Sequence, residues 1–459
     1  QQREVSETDV PRNRWARLMA RINRELTTPP SRGREEPVIV REELDYHLLL
    51  ENLSFESVAE IEAHPEQYPG LNVSYGTRRQ YPFGSLASHV IGHRAVPGDS
   101  TETPQNPDNP LDYRQGDRRG LSGVERSYDR VLRGRRGERR IVRNRQGEII
   151  HSDIIREPRP GQDVFLTLDA GLQERSEQLI DQRLTDFPST VPEAGACLVV
   201  IDVRTGAIVT CANGPRHDLR LFSEFDAEEW QTLNSDPRRP FFPRATYMAV
   251  SPGSVFKTVT SVSLLKSGRV DPDESFYCQG FLHTPERYRC YVYRHYGVGH
   301  ADIALREALA QSCNVYFYQA GLTIGPDEMI YWADKLGFGR PTGIDLPGEV
   351  GGNLPRPGHL APGSRDRWQQ SETLGLAIGQ SRLTATPLQI ARWMSIIANN
   401  GYAFTPQVVE RAGTVATTGT PLIRRAEMKQ IPGLDELTLD RIREGMDRVV
   451  NWHRGTGYK

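Results

Sequence analysis

The feature that most restricts this chain is the order of its periodicities. Residues 196–202 and 207–212 read as two strands joined by a tight turn, the second rich in β-branched residues. After a Pro-, Arg- and Asp-rich loop, helical spacing dominates from 254 to 400, and it predicts helices over 254–266, 304–321, 326–336 and 386–399. Strands followed by gathered helices predict an α+β fold, an antiparallel sheet packed on a helical cluster. Upstream, Glu157-Pro158-Arg159-Pro160-Gly161 marks a boundary before a strand at 163–168 and a helix beginning near Ala170. The expected division is therefore an N-terminal domain over 1–165 and a second domain over 166–459.

The N-terminal part is more mixed. In residues 1–30, Trp15, Leu18, Met19, Ile22 and Leu26 share one face of an Arg-rich helix, which suits either a packed surface or a membrane face. A helical stretch over roughly 41–64, short strands and a polar loop at 97–118 follow. The basic run at 130–145 alternates Arg with Val and Ile; it reads as a hairpin edge protected by charge or as a contact for an anionic polymer. With 37% hydrophobic and 25% charged residues the chain is a folded, fairly polar protein, and a net charge of −2 gives no global attraction to nucleic acid. No apolar run approaches the ~18 residues that span a bilayer. The chain opens on Gln, so it is expected to begin inside the native protein.

Chemistry concentrates at two short motifs. Ser254-Val255-Phe256-Lys257 follows Pro252-Gly253 and opens a helix. At that spacing Ser254 and Lys257 project on the same face, and a partly desolvated amine can take the hydroxyl proton. A serine at a helix start also has free N–H groups beside a developing oxyanion. Ser263-Leu264-Leu265-Lys266 repeats the spacing in mid-helix with no turn before it, and reads as ordinary helix. Downstream, Ser312-Cys313-Asn314 supplies a second hydroxyl and an amide: Ser312 to carry the proton to the leaving group, Asn314 to hold Lys257 and donate to a substrate amide. A helix cap or buried polar pair is the structural alternative. Ser-x-x-Lys and Ser-x-Asn with a later Lys-[Ser/Thr]-Gly form the pattern of serine acyl-transfer sites. No Lys-[Ser/Thr]-Gly occurs between Asn314 and Lys459.

From about residue 38 to 459 the chain resembles the class B penicillin-binding proteins, in particular the elongation-type penicillin-binding protein 2 branch. The resemblance rests on Arg79-Gln80-Tyr81-Pro82, His89-Val90-Ile91-Gly92, Gly120-Leu121-Ser122-Gly123-Val124-Glu125-Arg126 and Leu166-Thr167-Leu168-Asp169. In the second half it rests on Ser251–Lys257, Ser312–Tyr318, Thr342-Gly343-Ile344-Asp345-Leu346-Pro347-Gly348-Glu349, Ala377-Ile378-Gly379-Gln380 and Thr386-Pro387-Leu388-Gln389. It implies a penicillin-binding, serine transpeptidase-like domain preceded by an extended α+β pedestal. It also implies a peptidoglycan D,D-transpeptidase that acylates Ser254 with a stem peptide ending in D-Ala-D-Ala, passes the acyl group to a neighbouring strand during cell elongation, and is acylated by β-lactams. The implied partners are a membrane activator and a glycosyltransferase of the elongation machinery, met through the pedestal. The implied location is the bacterial inner membrane, with one N-terminal anchor outside this chain and the folded domains in the periplasm. The segment Val450–Gly457 resembles the stretch just upstream of the third motif, but Gly455-Thr456-Gly457 is not that triad. The substrate-carboxylate site is therefore left unassigned, and the site as given is expected to be incomplete and weakly active. Within the family a division-type enzyme is the competing reading; outside it, a scaffold that keeps only its pedestal contacts.

Five cysteines cannot all pair within one chain. Cys197 and Cys211 fall on neighbouring strands and read as core residues. Cys278, Cys290, His300 and Cys313 lie between the two motifs at loop-spanning intervals. By resemblance to members with a zinc in this region, they are the candidate ligands of a structural Zn²⁺, with no cofactor needed for catalysis. A Cys278–Cys290 disulfide with Cys313 simply buried is the alternative.

Overall fold

The structure, a computed structural model, describes residues 49–50, 53–73, 79–96, 113, 117–144, 149–186, 193–358, 368–413, 422–423 and 426–459. The chain forms two compact units, Gln1–Arg78 and Arg79–Lys459. In the first unit α1 (Phe55–Ala63) begins where the Ser54 hydroxyl accepts the Ser57 N–H at 3.2 Å, an N-cap. Of the helical stretch expected over 41–64, residues 41–48 and 51–52 lie outside the described residues. The amphipathic helix expected at 1–30 and most of the loop at 97–118 lie outside the described residues.

In the second unit, the basic run forms a ribbon, β1 (Glu138–Arg143) antiparallel to β2 (Ile149–Arg156), with Arg140 opposite Asp153 and Val142 opposite His151. Ile150 and Ile154 stay exposed on it. β3 (Val164–Leu166) leads into α2 (Ala170–Thr185), which starts at Asp169, whose carboxylate accepts the Leu172 N–H. β4 (Ala196–Ile201) and β5 (Ile208–Gly214) form the expected hairpin, from Ala196 opposite Gly214 to Val200 opposite Thr210. α2 lies on β5 through a buried amide. Gln173 accepts the Cys211 N–H at 2.9 Å, and its own amide donates to Glu177 at 2.7 Å.

Helices then gather into a cluster. α3 (Lys257–Ser267) is buried along most of its length. β6 (Phe276–Cys278) pairs with β7 (Ala301–Ile303), and α4 (Leu305–Ala310), α5 (Asn314–Ile324) and α6 (Pro326–Lys335) follow. α7 (Gln370–Ala377) and α8 (Pro387–Ala398) precede β8 (Val409–Ala412), which returns antiparallel to β3. The 16-residue α9 (Glu436–Asn451) is the last helix among the described residues. Phe256, Val259, Val262, Met329, Trp332, Leu376, Trp393 and Ile442 form the largest apolar core, wrapped around α3. A helix buried on every side must satisfy its own polar groups. Thr258, Ser261 and Ser263 donate back to carbonyls of the preceding turn, and Thr260 reaches the Ala377 carbonyl at 2.9 Å.

Ala87, Val90 and Val124 share a further core with Ile208, Leu388 and Val408. Tyr128 donates to Asp345 at 2.9 Å, and Asp345 accepts the Val408 N–H at 2.7 Å. These contacts explain why the compact division lies between Arg78 and Arg79, upstream of the compositional boundary near 157–163. Among the described residues no helix is long and apolar enough to cross a membrane.

Candidate active site

Ser254 does not sit in an α-helix as the spacing predicts. It lies in a 3-10 turn, Gly253–Phe256, and α3 begins at Lys257. Gly253 holds φ +59, a left-handed conformation open to glycine, and this lets the chain turn sharply before the serine. Lys257 is 1% exposed.

The single helix expected over 304–321 is broken in two. Ser312 adopts φ +51, strained for a side chain with a Cβ, between the end of α4 and the start of α5. Ser312 N–H donates to Leu309 O at 3.1 Å and Cys313 N–H to Ala308 O at 2.9 Å, so the turn is fixed by its own backbone. The break aims Ser312 and Asn314 at Lys257.

The ammonium group of Lys257 donates to Ser312 Oγ at 2.9 Å, to Ser312 O at 2.7 Å and to Asn314 Oδ1 at 2.7 Å. Ser312 Oγ in turn donates to Ser254 Oγ at 3.0 Å. The four expected residues thus meet in one hydrogen-bonded chain, with one difference. The sequence suggests a direct Lys257–Ser254 contact; here Ser312 stands between them. Burial pushes the Lys257 amine down to about 8, partly offset by the nearby Cys313 and Cys290 sulfurs. The other half of the Asn314 amide donates to Arg289 O at 2.9 Å, a positioning contact with no signal in the sequence. The second Ser-x-x-Lys is structural: Ser263 is buried, and Lys266 reaches Asp435 at 2.6 Å.

Cys278, Cys290, His300 and Cys313 converge beside this chain, with their ligand atoms all within 4.8 Å of one another. Cys278 Sγ lies 3.7 Å from Cys290 Sγ and 3.4 Å from His300 Nδ1, and Cys290 Sγ lies 3.7 Å from Cys313 Sγ. A tetrahedral zinc with Zn–S of about 2.3 Å and Zn–N of about 2.05 Å has S···S edges near 3.8 Å and S···N edges near 3.5 Å, so the donor set fits the ion. The separations are far from the roughly 2.05 Å of a disulfide, and all five cysteines are free. His300 is lifted to about 9: burial opposes the shift, and hydrogen bonds to Cys278 and Cys290 outweigh it. Cys278 is lowered by hydrogen bonds from Cys290 and Cys313, whereas burial raises Cys313. Burial likewise pushes the Cys197 thiol up to about 11 and that of Cys211 to about 12; Cys211 is a core residue as expected, whereas Cys197 is half-buried.

Residues 452–457 form a turn folded onto the end of α9 rather than a strand. Gly455 N–H donates to Trp452 O at 2.7 Å, Gly457 N–H to Val449 O at 2.9 Å, and Thr456 N–H to Ala310 O at 3.1 Å.

The profile of the penicillin binding protein transpeptidase domain matches residues 196–459, more than half of the chain. The chain belongs to this family. The penicillin-binding protein dimerisation domain matches residues 13–166. The peptidoglycan D,D-transpeptidase MrdA of Escherichia coli K12 is 30% identical over 415 residues, which cover 89% of this chain and 63% of that relative. The chain therefore spans less than two thirds of that relative's length. Penicillin-binding protein PBP2 from Helicobacter pylori superposes with a TM-score of 0.67 at 26% identity, covering 83% of this chain and 67% of that one. A chain from a peptidoglycan synthase complex that coordinates polymerisation and crosslinking superposes at 0.66 with 28% identity, covering 86% and 66%. The expected α+β, penicillin-binding fold with a dimerisation-type region before it is the observed one.

Proposed function

We propose that the protein is a serine D,D-transpeptidase of peptidoglycan synthesis, acting in cell elongation. The observation that carries this is the hydrogen-bonded chain Ser254–Ser312–Lys257–Asn314 inside a transpeptidase-family domain. Ser254 Oγ attacks the penultimate D-Ala carbonyl of a stem peptide. Its proton moves through Ser312 to the neutral Lys257 amine, and the Ser254 N–H stabilises the oxyanion. Collapse of the tetrahedral adduct breaks the peptide bond, and the leaving D-Ala amine takes the proton back from Ser312. An amine of a neighbouring strand then attacks the Ser254 ester, gives its proton to the same relay and frees the serine. β-Lactams acylate Ser254 by the first half of this sequence.

Residues 166–459 act as the catalytic module and 1–165 as the pedestal. The pedestal meets a membrane activator and a glycosyltransferase, a reading supported by the relative found in a synthase complex. On the same reading the domains work in the periplasm, tethered to the inner membrane, and the resemblance to elongation-type enzymes supports this. Cys278, Cys290, His300 and Cys313 hold a structural Zn²⁺, which supplies a crosslink between the loop at 278–300 and the Ser312 turn and takes no part in the chemistry. Native mass spectrometry that finds one bound Zn²⁺ supports this; a metal-free protein two mass units light excludes it.

The test of the activity is to supply a stem pentapeptide and an amine acceptor and to measure D-Ala release and crosslinked product. Both are expected with the protein expressed from its complete gene and neither with its Ser254→Ala variant. Equal release by the two proteins would remove the proposal, and absence of any release would favour the scaffold reading.

A further inference from the structure

The end of α7 and the segment leading from it to α8 run alongside the nucleophile turn and touch the chain before, within and after it. Val250 and Ala385 exchange backbone hydrogen bonds of 3.1 and 2.9 Å before the turn. Gly253 N–H donates to Gly379 O at 2.8 Å within it. Thr260 Oγ1 donates to Ala377 O at 2.9 Å one turn beyond it, on α3. The middle contact is the tightest. Gly379 has φ +70, and a Cβ built there would lie 2.1 Å from Gly253 O and 2.7 Å from Phe256 Cβ. Both atoms belong to the four-residue turn that carries Ser254.

The peptide plane makes this contact chemical as well as steric. Gly253 C=O and Ser254 N–H belong to one planar trans unit and point in opposite directions. Packing the carbonyl against the bare Cα of Gly379 therefore turns the Ser254 N–H away from that loop. Any side chain at 379 must rotate or shift this plane, and with it both the Ser254 N–H and the base of the Ser254 side chain.

We infer that Gly379 is a positioning residue for acyl transfer: its missing side chain lets the Ala377–Gln380 loop clamp the Gly253–Ser254 peptide so that the Ser254 N–H and hydroxyl are aimed together at the acyl carbonyl. This inference rests on the proposed role of Ser254. It adds a fifth position to the four polar residues of the relay, one that acts through backbone shape rather than through a functional group.

The experiment uses the protein expressed from its complete gene. It measures the second-order rate of acylation by a fluorescent penicillin, and the affinity for a peptide boronic acid, whose tetrahedral serine adduct needs the same N–H. Gly379→Ala is expected to lower both by about 100-fold, the scale of an ångström-level misplacement. Gly268→Ala is the control: it sits at the far end of α3 with φ +63 and no atom within 4 Å, so it carries the backbone strain without the clash. That variant should lose stability and keep both constants. Thr260→Val, which removes the tether to Ala377 without adding a clash, should lower both by about fivefold, the worth of one ordinary hydrogen bond. It also serves as the test if the Gly379 variant does not fold.

Acylation and boronate binding unchanged in Gly379→Ala, or unchanged in Thr260→Val, would overturn the inference. So would an equal loss in Gly268→Ala. If the unsubstituted protein is not labelled at Ser254, the reading of Ser254 as nucleophile falls first. Labelling that is insensitive to position 379 removes only the present inference.

Discussion

Asn314→Asp separates two jobs of one side chain. Asn314 Oδ1 accepts from Lys257 at 2.7 Å, and Nδ2 donates to Arg289 O at 2.9 Å. The substitution keeps the shape, puts a carboxylate beside a buried amine, and removes the donor toward Arg289. Lys257 sits at about 8 because burial disfavours its charged form. A base must be neutral to act, so acylation in the unsubstituted protein should rise tenfold per pH unit below about 8 and level off above it. At pH 7 about a tenth of the amine is then competent.

A carboxylate within ~4 Å favours the ammonium form by about 1–3 pKa units, so the rising limb should move to roughly pH 9–11. Acylation at pH 7 should fall by about 10- to 1000-fold, and at pH 10 the deficit should shrink to between about one- and tenfold. The lost bond to Arg289 lowers the plateau; only the added charge moves the limb. The assay is stopped-flow acylation by a chromogenic cephalosporin between pH 6 and 10.5. A loss that is the same at every pH would refute the reasoning, because it would show that Lys257 is not the titrating base. A flat profile for the unsubstituted protein would refute it as well.

Three further outcomes follow from the structure. Burial holds His89 at about 3 and His93 at about 4, and it lowers His217, with Arg244 and Arg216 nearby. These imidazoles are depressed in the fold, so their contribution to stability is intact above the unfolded value of about 6.5 and is lost as pH falls below it. The thermal midpoint should drop steadily from pH 6.5 toward 4, less steeply in His89→Gln; a flat midpoint would contradict this. Cys290→Ser removes the central sulfur, 3.7 Å from both Cys278 and Cys313. It should abolish stoichiometric zinc by elemental analysis and slow acylation by loosening the Arg289–Asn314 contact, whereas undiminished zinc would exclude the ligand set. Trp393 is fully buried and donates to Thr258 at 2.7 Å; Trp393→Phe should cost about 1–3 kcal/mol in denaturant unfolding, from the lost hydrogen bond and the void.

The four residues of the proposed relay were legible because serine acyl-transfer chemistry demands particular side chains at short spacings. Pro252-Gly253 before Ser254, and a hydroxyl and an amide flanking Cys313, are such local signals. The strand pair at 196–214 and the helices over 326–335 and 387–398 were legible from their apolar periods. What was not legible depends on distant parts of the chain. Helical propensity runs unbroken through 304–321, and the break at Ser312, with φ +51, is held by a turn that closes on its own backbone and by the distant Lys257 ammonium group. α9 passed unread although Leu439, Ile442 and Gly445 share its buried face, because its charged residues outnumber the apolar ones. The thiol–imidazole cluster is assembled by β6, β7 and the Ser312 turn, and no sequence interval encodes that meeting. Gly379 lies in a run that the resemblance marks, but the reason for a glycine there, the close approach of Gly253 O, depends on a distant part of the chain.

The most direct test of the central claim is peptide mapping by mass spectrometry after brief exposure to benzylpenicillin. The account predicts one penicilloyl adduct, on Ser254, lost in Lys257→Met and retained in Lys266→Met. An adduct on Ser263 or another residue, or no covalent adduct with the protein expressed from its complete gene, would contradict it.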